Sequence, residues 1–163
     1  MTTLSELTSF PEGAYDELTA RIRAHEGLVL KVYDDATGHL VIPGSVLVGH
    51  PTIGYGRALD VKGVSFSEAE AMLHSDLVRL VQDVRLRFPW TIDLDPRRFG
   101  VLVEMAYQMG VRGLAEFVFF LGHLQRKDWL RAGAAMMESL WARRQSPTRA
   151  AALRTVIETG EAL

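Results

Sequence analysis

The chain has no cysteine, which excludes a disulfide framework, a thiolate zinc site and a thiol nucleophile at once. Nowhere do eighteen apolar residues run together, so no membrane-spanning helix is expected. The first twenty residues, MTTLSELTSFPEGAYDELTA, have neither a basic start nor an apolar stretch. No secretory leader is therefore expected, and the protein reads as one made in the cytoplasm. Internal repeats and low-complexity linkers are missing too. What remains is an ordinary globular chain of 163 residues, 48% apolar and 23% charged, too apolar for a disordered segment. That length suits one compact domain, or two small lobes sharing a helix.

Charge of one sign is scarce in each half. Residues 1–78 carry eleven acids against five bases, and residues 79–163 carry nine acids against thirteen bases. Between residues 126 and 154 lie Arg126, Lys127, Arg131, Arg143, Arg144, Arg149 and Arg154 against only Asp128 and Glu138. A basic segment of this kind attracts a polyanion such as an anionic cell wall, a membrane surface or nucleic acid, or simply forms a solvated helical face.

The apolar pattern changes period along the chain. Residues 12–25 read as a helix with Ala14, Leu18, Ile22 and His25 on one face, and Pro11 suits its first turn. Gly27 breaks it and leaves Glu26 at its C-terminus. Ile22, Leu28, Leu30 and Val32 are candidates for a local core. The segments LVLKVYD and LVIPGSVLVGHPTIGYG then read as β structure, separated by the turn ATGH. Ser67 and Glu70 have capping-box spacing for a long helix ended by Pro89, with Ala69, Met72, Leu73, Leu80, Val81, Val84 and Phe88 along one stripe. Asp95 followed by Pro96 predicts an N-cap and first helical residue, and shorter helices are expected at 113–122, 124–140 and 147–158. The sum is an α+β architecture of segregated elements. A single domain of residues 1–163 is expected, with a β-containing lobe at 15–66, a connecting helix at 67–88 and a helical lobe at 89–163, and a substrate site between the lobes.

Glu26, Asp34, Asp35 and Thr52 are the residues of the β region with chemistry to offer. A carboxylate at Glu26, beside apolar neighbours, must be solvated, paired or functional. Such surroundings raise proton affinity and make a proton donor, whereas an Asp in a wetter setting stays ionised. Two carboxylates in unlike environments are what glycoside hydrolysis requires. Fully extended, a separation of nine residues would span roughly 30 Å, so the chain must fold back at Gly27 or at the turn.

Taken together, Glu26–Gly27, Tyr33-Asp34-Asp35 and Thr52-Ile53-Gly54-Tyr55-Gly56 resemble the phage-type lysozymes, the muramidases of glycoside hydrolase family 24. The likeness continues through VEMAYQMG (103–110), LQRKDW (124–129) and SLWARRQSPTRAAALRTVIETG (139–160), and so covers essentially everything after residue 14. The resemblance implies a lysozyme-like fold and hydrolysis of the β-1,4 bond between N-acetylmuramic acid and N-acetylglucosamine. Glu26 would be the general acid. Asp35, two residues after Tyr33, would hold or deprotonate the attacking water, and Thr52 would orient that water, with Thr37 as the alternative because the segment from Asp35 to Thr52 is longer than usual. Asp34 would be a neighbouring surface acid. Arg57, Tyr107, Gln108, Phe120, Ala135 and Arg149 occupy positions implied to meet substrate, although Arg57 and Arg149 also suit ion pairs and Tyr107 the core. Trp90, Trp129 and Trp141 read as packing residues. The implied partner is the glycan strand of peptidoglycan, with no cofactor, no metal, no nucleic acid and no stable membrane association, acting as a monomer. Release to the wall would go through a holin-like pore.

Two other classes compete. A zinc amidase would need close ligands, yet His25, His39, His50, His74 and His123 form no H-E-x-x-H pattern. A non-catalytic wall- or nucleic-acid-binding module would use the basic segment and have no need of Glu26, Asp35 and Thr52. Within enzymes, a lytic transglycosylase has no need of a water-holding Asp.

Overall fold

The computed structural model describes residues 13–162; Pro11, anticipated in the first helical turn, lies outside them. The chain divides into two compact units, Met1–Glu68 and Ala69–Leu163. The first holds helix α1 (Ala14–Glu26), an antiparallel sheet in the order β1 (Val29–Asp34), β2 (Pro51–Gly54), β3 (Arg57–Ala58), and a short helix α2 (Leu59–Lys62). Helix α3 (Phe66–Arg87) follows, then a 3-10 turn at Pro89–Asp93. The remainder is α4 (Pro96–Ala115), α5 (Val118–Gln125), α6 (Trp129–Met137), a π turn at Trp141–Gln145, and α7 (Pro147–Thr159). Sheet and helices are segregated along the chain, which is the α+β class expected from the sequence.

Helix α1 ends where the sequence says it should. Gly27 takes a φ of 66° and returns its N–H to the Arg23 carbonyl at 3.2 Å, a conformation that favours glycine. Strand β1 then runs antiparallel to β2, with Tyr33 opposite Thr52 and Asp34 opposite Pro51. A two-residue turn, Tyr55 and Gly56, carries β2 into β3, where Thr52 faces Ala58. The long stretch read as β between the turn and Thr52 is mostly not strand. Only Leu40 bridges to Tyr33, and residues 41–50 form an irregular loop. Two prolines and four glycines within residues 43–56 remove ladder donors and side-chain contacts.

The expected local core of Ile22, Leu28 and Leu30 does not form; all three are exposed. Among the described residues of the first unit, the buried ones are Asp34 and Thr52. The capping box also lies two residues earlier than Ser67 and Glu70. Ser65 Oγ accepts the Glu68 N–H at 3.3 Å, and Glu68 Oε2 accepts the Ser65 N–H at 2.7 Å, so α3 starts at Phe66 with both orphan donors satisfied.

The second unit carries the apolar core. Val84, Leu102, Met105, Leu114, Leu124, Met136 and Ile157 are all fully buried, and α6 packs on both α5 and α7. Of the stripe read on α3, Val84 and Phe88 are buried and Leu80 packs against them, whereas Met72, Leu73 and Val81 are exposed. Asp95 caps α4 as expected, accepting the N–H groups of Arg97 and Arg98 at 3.2 and 3.0 Å. The helix anticipated at 113–122 is interrupted after Ala115, and that at 124–140 is interrupted at Lys127, whose φ of 59° cannot continue a helix. Trp141 is buried, and Trp129 lies under the Arg98 guanidinium at 4.1 Å; both tryptophans are packing residues.

Candidate active site

Two of the three candidate catalytic residues converge on one residue that sequence reasoning passed over, His50. Its N–H donates to Asp35 Oδ1 at 2.7 Å. Its carbonyl accepts the Asp35 N–H at 3.1 Å and the Thr52 hydroxyl at 3.2 Å. Asp35 is exposed, and Thr52 is only 3% exposed. The antiparallel register explains the convergence. Tyr33 faces Thr52, so Asp35 lies just past the end of β1, opposite the residues that lead into β2. Thr37, the alternative hydroxyl, serves instead as a turn acceptor for the His39 N–H at 3.3 Å.

Glu26 ends α1 and is exposed rather than set among apolar side chains. Its carboxyl lies over the β2–β3 turn: a Cβ built on Gly56 would stand 3.1 Å from Glu26 Oε2. Gly56 has a φ of 76°, so glycine serves there both for backbone conformation and for the close approach of Glu26.

Asp34 is not the surface acid anticipated. It is 4% exposed, and its carboxylate accepts three backbone N–H groups, from Val48 at 2.7 Å, Ala36 at 2.9 Å and Gly49 at 3.0 Å. The Val48 bond does most to hold its carboxyl below the ordinary range; burial opposes this, and Gly49, Ala36 and Thr37 add to the lowering. Asp34 thus organises the 36–49 loop, and Asp35 points from the outer side of the same turn. Gly49 is the point of closest approach. A Cβ there would overlap Asp35 Oδ1 and come within 2.9 Å of the Ala36 N.

His50 is tied on its other side as well. Its Nδ1 lies 2.9 Å from Asp60 Oδ2 on α2. That hydrogen bond, first, and the charges of Asp60, Asp35 and Asp34 raise the His50 pKa against the effect of burial. The same bond lowers the Asp60 pKa.

The other anticipated substrate residues fall into two groups. Arg57 is committed locally: its guanidinium meets Glu68 at 2.8 and 3.1 Å and the Gly63 carbonyl at 2.8 Å. Gln108 accepts the Trp141 indole N–H at 3.0 Å and donates to Ser146 at 3.3 Å, while Arg149 pairs with Glu104 at 3.5 Å. Phe120 and Ala135 line a cavity of about 490 Å³ with Met109, Phe117 and Trp141. Phe120 does so from the core, with 1% of its surface exposed. Tyr107 is half exposed and lines a second hollow with Val81, Phe99 and Arg149. Among the described residues, no group of three or more His, Asp or Glu side chains could hold a metal ion, and no helix is long and apolar enough to cross a membrane.

The family profile described as phage lysozyme matches residues 23–154, which takes in Glu26, Asp35, Thr52 and the helices that follow them in the chain. The chain belongs to the phage lysozyme family. Within it, the chain is similar to probable T4-type lysozyme 1 of Dictyostelium discoideum, 27% identical over 85% of this chain and 92% of the relative. A second Dictyostelium discoideum protein, probable T4-type lysozyme 2, is 25% identical with the same coverage. The pre-baseplate central spike protein Gp5 of Enterobacteria phage T4 is 29% identical over 85% of this chain, but over only 27% of its own length. This phage lysozyme family member therefore matches the two Dictyostelium proteins over most of their length and the spike protein over one segment.

Proposed function

We propose that the chain hydrolyses the β-1,4 bond between N-acetylmuramic acid and N-acetylglucosamine in bacterial peptidoglycan, with inversion at the anomeric carbon. Family membership and the two T4-type lysozyme relatives support lysozyme-like cell-wall hydrolysis. The observation that carries the finer reading is the meeting of Asp35 and Thr52 on His50, with a second carboxyl, Glu26, over the turn of the same sheet.

In this reading Glu26 is the general acid. Its proton passes to the glycosidic oxygen as the bond to the anomeric carbon breaks. Asp35 takes the proton of a water that attacks from the opposite face, and the Thr52 hydroxyl orients that water. Inversion needs room for the water, so the two carboxyls should stand about 6.5–9.5 Å apart rather than the closer spacing of a retaining enzyme. One carboxyl must be protonated while the other is ionised, which gives a bell-shaped pH profile. The partner is the glycan strand, met without cofactor or metal by a monomer. The contacts implied at Arg57, Tyr107, Gln108, Phe120, Ala135 and Arg149 belong to the same proposal. For Arg57, Gln108 and Arg149 the existing ion pairs and hydrogen bonds give each side chain a structural task as well.

Mass spectrometry of peptidoglycan digested by the wild-type protein and by Glu26→Gln is the test. The expected products are reducing muramic ends, absent with Glu26→Gln. Anhydro-muramic ends would instead indicate a transglycosylase. Cleaved peptide, lost on addition of a chelator, would indicate an amidase.

A further inference from the structure

The His50–Asp60 pair lies near the surface of the first unit and closes a ring around Thr52. Starting at Thr52, the ring passes through the hydroxyl bond to the His50 carbonyl, then His50 Nδ1 to Asp60 Oδ2, then back along α2 to Ala58, which is paired with Thr52 across the sheet. Both partners are about half exposed, 53% and 46% of their side chains, and exposed ion pairs add little to global stability. Such a pair can still fix the direction of one residue.

That residue has unusually little freedom of its own. Pro51 follows it, so the backbone of His50 is restricted to extended conformations. Its φ and ψ set where its N–H and carbonyl point, and those two groups hold Asp35 and Thr52. A carbonyl oxygen has two lone pairs, and here one oxygen serves both the Asp35 N–H and the Thr52 hydroxyl. Tethering the imidazole removes the remaining rotation of the residue.

We propose that His50 is a positioning residue for Asp35 and Thr52, and that Asp60 locks it by gripping the imidazole from α2. The proposal rests on the catalytic reading of Asp35 and Thr52 given above. The charged groups facing His50 are Asp60 on α2 and Asp35 and Asp34 at the end of β1, all acidic. The lock therefore carries both charges from the depressed Asp60 pKa up to the raised His50 pKa. It is complete between the ordinary aspartate and histidine values of about 3.9 and about 6.5, weakens as pH rises through the raised His50 value and is lost as pH falls through the depressed Asp60 value.

The test uses the full chain as His50→Ala, Asp60→Ala, the double variant and the conservative His50→Gln, with two readouts. Turnover on soluble peptidoglycan fragments should show kcat down about tenfold to a hundredfold in each single variant. KM should stay within twofold, the double variant should be no slower than the worse single one, and His50→Gln should recover part of the rate. Thermal midpoints should hardly move. In nitrogen–proton correlation spectra, the amide of residue 50 should sit far downfield in the wild type and follow the titration of Asp35. In His50→Ala and Asp60→Ala it should move upfield and lose that titration. Unchanged kcat in both single variants overturns the inference, as does a residue-50 amide that keeps its wild-type shift and titration. Absence of turnover by the wild type overturns the catalytic reading instead, and the amide then decides the positioning on its own.

Discussion

Gly49→Ala is the smallest change that reaches the proposed base without touching it. Adding one methyl there places a Cβ in overlap with Asp35 Oδ1, 2.8 Å from the Ala36 Cβ and 2.9 Å from the Ala36 N. Ala36 cannot retreat without giving up its N–H bond to Asp34 Oδ1 at 2.9 Å. The side chain of Asp35 is the part free to rotate, and rotation breaks its 2.7 Å bond from the His50 N–H. Overpacking of this kind costs about 1–3 kcal/mol, and displacement of a reacting group by roughly 1 Å lowers turnover about a hundredfold. Urea unfolding and initial rates on soluble peptidoglycan fragments read the two effects separately. The expected result is a folded protein, destabilised within that range, whose kcat falls about a hundredfold while KM changes little. A folded Gly49→Ala protein that keeps its turnover within twofold refutes the placement of Asp35.

Asp34→Asn should lower the thermal midpoint at neutral pH, because an amide cannot accept the Val48, Gly49 and Ala36 N–H groups as an ionised carboxylate does. Since the folded pKa of Asp34 is lowered, its contribution is present above the unfolded value of about 3.9 and lost as pH falls through the folded one. Calorimetry across pH 2–7 should therefore show a weaker acid dependence in Asp34→Asn than in the parent. Leu102→Ala, at a fully buried position of α4, should cost about 2–5 kcal/mol in urea unfolding. Gly100→Ala, in the same helix with nothing within 4 Å of the added Cβ, should gain about 0.5–1 kcal/mol. Arg143 and Arg144, exposed on the π turn, are candidates for wall attachment. Changing both to Ala should slow lysis of whole cells at low salt and flatten its salt dependence, since exposed charges are screened beyond about 8 Å at physiological ionic strength.

Local signals were legible wherever a residue type forces one conformation. Gly27 ends α1, Asp95 and Pro96 open α4, and the order of Glu26, Asp35 and Thr52 at a helix end, in the turn after a strand and on the next strand was readable from the motifs. What escaped the sequence was set by contacts with no period. Asp34 and Asp35 are adjacent acids, and only the 36–49 loop folding back decides that the first is buried and the second exposed. Ser65 and Ser67 offer the same capping spacing to Glu68 and Glu70, and the Arg57 grip on Glu68 accompanies the earlier start. The sequence offers His50 only as one of five histidines, because its hydrogen bonds to Asp35 and Thr52 are made by its backbone. The β-branched run before Thr52 looked like a strand, but Asp34 holds its N–H groups at Val48 and Gly49, leaving them out of any ladder.

The central claim is that Glu26 and Asp35 hydrolyse a glycosidic bond by inversion, and the anomer released first tests it most directly. Proton NMR during early turnover of a soluble peptidoglycan fragment, run in parallel with oxygen-18 water and mass spectrometry, reads both configuration and water entry. The account predicts an α-configured reducing muramic end carrying one oxygen-18, and no product at all from Glu26→Gln. A β-configured end formed first, or an anhydro end without the label, would contradict it.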